Sequence, residues 1–106
     1  MDKNLLKSLV SEASGLALSN CWGENAFDIN MKILEIDENN SAACTRLAKY
    51  YRLNDNLSDA KKMYSRALEI NPNSIGARNN LIEIEEYQKD KAYFDTLSTE
   101  DELYNA

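Results

Sequence analysis

One 34-residue stretch, residues 41–74, constrains this chain more than any other, because it holds two helical patterns split by a short polar turn. Leu47, Ala48 and Tyr51 fall on one face of the first segment, and Ala60, Tyr64 and Ala67 fall on one face of the second. Between them lies Asn54-Asp55-Asn56. Asn and Asp tolerate the left-handed backbone such a turn can require. Pro72 then closes the unit, since it lacks a backbone donor and clashes with the preceding turn. The pattern predicts a helix–turn–helix hairpin.

Helical periodicity continues on both sides. Leu5, Leu6, Leu9, Val10, Ala13, Leu16 and Ala17 recur at three- and four-residue intervals and predict an amphipathic helix over 3–19. Gly23 ends the turn that follows, and Trp22 in that turn is expected to pack its ring over the open end of the hairpin. A second helix is expected over 24–37, with Ala26, Phe27, Asn30, Ile33 and Leu34 near its buried side. Ser41 is the expected N-cap of a third helix over 42–53, and Ser58 or Asn56 that of a fourth ending near Ile70. Ser74 is placed to cap a fifth helix over 75–89. Beyond it, 91–97 reads as a short sixth helix, and Ser98-Thr99-Glu100-Asp101-Glu102 as the start of another.

Sliding the chain by 34 residues sets Ile33-Leu34-Glu35-Ile36 on Ala67-Leu68-Glu69-Ile70 and Ala26 on Ala60. The same shift sets Ala43 to Leu47 on Ala77 to Leu81. A fixed period of this length signals a repeat array. With Leu47, Ala48, Tyr51, Ala60, Tyr64, Ala67 and Pro72 at its signature positions, the central unit resembles the tetratricopeptide repeat family. In that signature small residues let two helices approach closely while large ones fill the gaps beside them. Cys44 stands where the family commonly has a large apolar residue, and Ala48 where it often has glycine.

The flanks are weaker. In the first, Asn30 and Ile33 replace the large–small pair and Glu38 replaces the proline; in the third, Glu85 stands at the tyrosine position and Phe94 at the alanine. The resemblance implies an all-α fold, a short right-handed α-solenoid of antiparallel helix pairs with five to seven helices. One domain, 1–106, would comprise a degenerate repeat (3–40), a well-matched repeat (41–74) and a partial repeat forming a terminal helix pair with a polar outer face (75–106).

The resemblance also implies a function. First helices of successive repeats in this family line a concave groove that holds a peptide or a partner's helix. By repeat position the groove residues here would be Thr45, Arg46, Lys49 and Arg52 on the central first helix, then Asn79, Asn80, Glu83 and Tyr87 on the next. Asparagine amides can hold peptide backbone, and Lys or Arg can meet a carboxylate. Lys49 and Asn80 match part of the family's carboxylate clamp. Ser11, Gly15 and Thr45 depart from it, and Glu83 would oppose an incoming carboxylate, so the full clamp is not expected.

Charge and chemistry narrow the remaining classes. Residues 83–106 hold eight acidic and two basic side chains, a balance equal to the net charge of −6 of the whole chain. No basic stripe offsets this, so nucleic acid is not an expected partner. Histidine is absent, the three glycines are scattered, and the two cysteines, Cys21 and Cys44, have no metal-ligand spacing. No catalytic, metal or cofactor site is expected. The opening residues form no signal-peptide core and no run is apolar enough to span a membrane, so a cytoplasmic setting fits. The expected role is a non-enzymatic scaffold for a protein or peptide partner. Homo-oligomeric self-association, or docking to a further domain, is the alternative.

Overall fold

A computed structural model describes the backbone of residues 3–105 and the side chains of residues 3–97. Five α-helices follow in order: α1 (Lys3–Leu18), α2 (Glu24–Ile36), α3 (Ser41–Leu53), α4 (Leu57–Ile70) and α5 (Ile75–Asn105). Connections of three to five residues turn each helix back onto its predecessor, and every consecutive pair packs together. The molecule is elongated, 66 × 27 × 21 Å.

The turns behave as their residues dictate. Asp55 has φ 60° and Asn20 has φ 56°, so side chains that tolerate the left-handed region do the work of glycine at both positions. One cap differs in detail from the sequence expectation, and another falls to one of the two candidates. Asn40, one residue before Ser41, accepts the Ala43 amide at 3.0 Å and starts α3. Asn56 accepts the Asp59 amide at 3.2 Å and starts α4. At the head of α5 the Ser74 hydroxyl accepts the Ala77 amide at 3.4 Å, as its position suggested.

The core forms where α3, α4 and α5 meet. Cys44, Ala48, Ala60, Tyr64, Ala67, Ala77 and Ile84 are buried there, with Tyr51, Leu57 and Leu81 against their edges. Ala48, Ala60 and Ala67 are fully covered, and the Tyr64 ring fills the space beside them. A second cluster, Ala13, Ile29, Ile33 and Ala43, joins α1 and α2 to α3. Leu34 packs against both clusters and makes the interior continuous.

The C-terminal part departs from expectation. Where a fifth, a sixth and the start of a seventh helix were expected, α5 runs without interruption for 31 residues. The 34-residue shift supplies the reason. The turn Asn54-Asp55-Asn56 corresponds to Gln88-Lys89-Asp90, and Ala60, Tyr64 and Ala67 correspond to Phe94, Ser98 and Asp101. A returning helix would have to place a phenylalanine where the central hairpin tolerates only alanine, and polar side chains at the next two packing positions. With no glycine or proline between Ala77 and Asn105, helix propensity prevails instead. Ser98 therefore lies inside a helix; its capping side chain is outside the described residues. Among the described residues the exposed surface of α5 also carries Tyr87, Tyr93 and Phe94, each more than half exposed.

Enlarging a small residue at the α3–α4 contact tests this packing. Ala48→Leu should destabilise the chain by about 1–3 kcal/mol through overpacking. Ala92→Leu, on the exposed part of α5, should change stability by less than about 0.5 kcal/mol. Urea unfolding followed by circular dichroism measures both.

Candidate functional site

Three cations on α3, spaced three residues apart, each reach toward a different neighbour. Arg46 turns inward. Its two guanidinium nitrogens donate to Asn30 Oδ1 at 3.4 Å and to Ser14 Oγ at 3.1 Å, which ties α3 to both α2 and α1. Asn30 is itself buried, and its amide donates to the Ala26 carbonyl at 2.9 Å. Burial lowers the pKa of Arg46. Arg46 is thus half-buried in a structural network rather than presented to a groove.

Lys49 remains exposed, with Nζ 4.6 Å from the centre of the Trp22 ring. That indole donates to Asn20 Oδ1 at 3.0 Å. The contact fastens the α1–α2 turn to α3 by a cation–π attraction of about 0.5–1 kcal/mol at such an exposed site. Phe27, Tyr50 and Tyr51 cluster nearby on α2 and α3, their ring centres 4.7–5.9 Å apart.

Arg52 reaches the other way. It donates to Asn80 Oδ1 at 2.6 Å and pairs with Glu83 Oε2 at 3.0 Å, linking α3 to α5. Asn80 is held in turn by its amide, which donates to the Gly76 carbonyl at 2.7 Å. The ion pair is largely solvated, so its share of stability is under about 1 kcal/mol. Its effect is to fix two charged groups of opposite sign at one rim of a groove of about 680 Å³. Asp55, Leu57, Ile84, Tyr87, Gln88 and Lys91 complete that groove. Tyr64 lies beneath; burial pushes its phenol above the usual 10.0, and the charge and hydrogen bond of Arg52 pull against that rise.

The residues expected from repeat position are therefore only partly brought together. Arg52, Glu83 and Tyr87 line one groove, and Asn80 holds Arg52 from outside that lining. Thr45 bonds back to the Ser41 carbonyl of its own helix at 3.0 Å, and Asn79 is exposed on α5 outside the lining. Asp55, Leu57 and Lys91 belong to the groove but were not anticipated. Lys91 joins it only because α5 continues past the position where a turn was expected. The remaining signal was present in Gln88 and Lys89, good helix formers that stand where Asn54 and Asp55 make the central turn.

A reactive centre finds little support in the thiols. Cys44 is fully buried, and burial pushes its pKa up despite the opposing Arg66 charge. Cys21 is exposed. Among the described residues no group of three or more acidic or cysteine side chains is placed to hold a metal ion. None of the described helices is long and apolar enough to cross a membrane. No protein-family model matches the chain, and no curated protein matches it in sequence.

Two outcomes follow from these environments. A thiol-alkylating reagent at neutral pH should modify Cys21 in the folded protein and Cys44 only on unfolding, read by intact-mass analysis with and without urea. Replacing Asn30 by Leu leaves Arg46 half-buried without its amide acceptor and should cost about 1–3 kcal/mol. In the double variant with Arg46→Met the two losses should be non-additive by more than about 0.5 kcal/mol, measured by a thermodynamic cycle.

Proposed function

We infer that the chain is a short right-handed solenoid of the tetratricopeptide type, acting as a non-enzymatic module that holds a segment of another protein in a cytoplasmic setting. The helix boundaries support the repeat register. Shifted by 34 residues, the end of α2 at Ile36 falls on the end of α4 at Ile70, and the start of α3 at Ser41 falls on the start of α5 at Ile75. In that register α1, α3 and α5 are first helices, and the contacts of Arg46 with Ser14 and of Arg52 with Asn80 and Glu83 run between them.

The observation that carries the functional reading is the groove between α3 and α5. Arg52, Lys91, Asp55, Glu83 and Tyr87 give it two cations, two anions and an aromatic wall over an apolar floor of Leu57 and Ile84. An extended peptide can use such a surface through its backbone amides and one or two side-chain anchors. Self-association is the competing reading, favoured by the exposed Ile82 and Tyr93 on the opposite flank of α5.

Display of random peptides against the purified chain distinguishes these readings. Enriched peptides should bind about tenfold more weakly to Arg52→Ala, and more weakly to the Lys49→Ala/Asn80→Ala pair, with helicity unchanged. Absence of enrichment, together with a dimer in light scattering, would favour self-association.

A further inference from the structure

One flank of α5 faces away from the other helices. Ala77, Leu81, Ile84 and Gln88 turn toward the rest of the chain, where Ala77 and Ile84 are buried and Lys61 of α4 donates to Gln88 Oε1 at 3.2 Å. The flank turned away from them carries Ile82, Glu86, Lys89 and Tyr93, at spacings of four, three and four residues. At about 100° per residue these four fall within roughly 60° of the helix circumference. All are exposed, Ile82 at 45% and Tyr93 at 62%, and Phe94 backs the Tyr93 ring with ring centres 5.8 Å apart. Among the described residues neither Glu86 nor Lys89 is in an ion pair.

This seam is distinct from the peptide groove. Ile82, Glu86 and Lys89 line a hollow of about 630 Å³ together with Lys61 and Glu85, whereas Glu83, Tyr87 and Lys91 line the groove beside Arg52. Gln88 lies between the two and borders both.

Read from either end, the seam has the same spacing, and its order is apolar, charged, charged, apolar with the two charges opposite. Those properties make it complementary to itself. In an antiparallel pair of α5 helices centred between Tyr87 and Gln88, Ile82 meets Tyr93 of the second copy and Glu86 meets Lys89 of the second copy, each contact occurring twice. That is the isologous, two-fold arrangement. Alternating three–four spacing is the spacing at which two helices interlock, and charged positions in such a seam fix its register. Other alignments lose the match. A parallel pair sets Glu86 on Glu86 and Lys89 on Lys89, and an antiparallel pair shifted by seven residues sets Ile82 against Glu86.

The charges beside the seam set the strength of the pair. Along one edge Glu85, with Lys61 nearby, faces Ala92 of the second copy. Along the other edge Asp90 faces Glu83 of the second copy, a carboxylate already held by Arg52 at 3.0 Å. That acidic edge opposes association, so the pair is weak and its register comes from the central Glu86–Lys89 contacts. We propose that two copies of this chain associate through the Ile82–Glu86–Lys89–Tyr93 face of α5, antiparallel and two-fold. The proposal goes beyond the peptide-binding reading and does not depend on it, because the groove beside Arg52 lies on another side of α5.

Sedimentation equilibrium of the intact chain over a roughly hundredfold concentration range should show a reversible monomer–dimer equilibrium. Glu86→Lys and Lys89→Glu, both at exposed positions, should each weaken it by about tenfold or more with unchanged helicity. An equimolar mixture of these two variants should associate again, because each copy then offers the charge opposite to its partner at both central contacts. Asp90→Lys should tighten the dimer by placing a cation opposite Glu83 of the second copy. A peptide selected on the groove should still bind Glu86→Lys, so failure of the pair and failure of the groove are read apart. A monomer across the whole range, a dimer indifferent to both reversals, or reversal variants that do not recover on mixing overturns the proposal.

Discussion

Close approach of α3 and α4 is the constraint on which the rest of the structure depends. Ala48, Ala60 and Ala67 are fully covered, so the two backbones meet at positions where one methyl group is all the space allows. Tyr64 supplies the volume that three alanines cannot. It lies fully buried, with its hydroxyl close enough to Arg52 for that guanidinium to affect its titration. This hairpin offers one surface to α2 and another to α5, and Ala43 and Ala77 repeat the small-residue contact at both borders. Stability here comes from neighbour-to-neighbour interfaces rather than from one central core, which suits an elongated molecule.

Polar ties then decide how successive helices align. Apolar contacts alone would allow sliding along a helix, because many registers bury similar area. Arg46 restricts the α1–α3 relation through Ser14 and the α2–α3 relation through Asn30, while Arg52 restricts α3 against α5 through Asn80 and Glu83. Each solvated ion pair contributes little free energy. Its directionality is what matters, since a guanidinium meets its acceptors only within a narrow range of offsets. On α4, Arg66 donates to the Glu38 carbonyl at 2.9 Å and adds a similar tie on the other side of the row.

Much of this was legible from residues alone, for a physical reason. Helix positions and turns follow from apolar spacing and from Asn, Asp, Gly and Pro, and those signals are local. Cys44, Ala48 and Tyr64 fall where the spacing placed them. The site was less legible because a polar residue's role depends on what faces it. Arg46 and Arg52 look alike in the sequence, yet Asn30 and Ser14 draw one inward, and Glu83 holds the other at a groove rim. Phe94 could be recognised as a misfit at an alanine position. That the misfit would be resolved by fusing two helices depended on Lys89, a good helix former, standing where Asp55 takes the left-handed backbone of the central turn.

This fusion changes what the molecule can offer to others. A hairpin that folds back hides its small residues and its aromatic ring; a continuous helix leaves the corresponding positions in water. Exposed aromatics on a soluble chain cost free energy in the unbound state and return it when covered, so they persist most readily where something covers them. Acidic residues accompany them on α5, where Glu83, Glu85, Glu86, Asp90 and Asp95 share the exposed surface with Lys89 and Lys91. A phenylalanine at the third alanine position thus removes a packing surface within the chain and leaves its own ring in water.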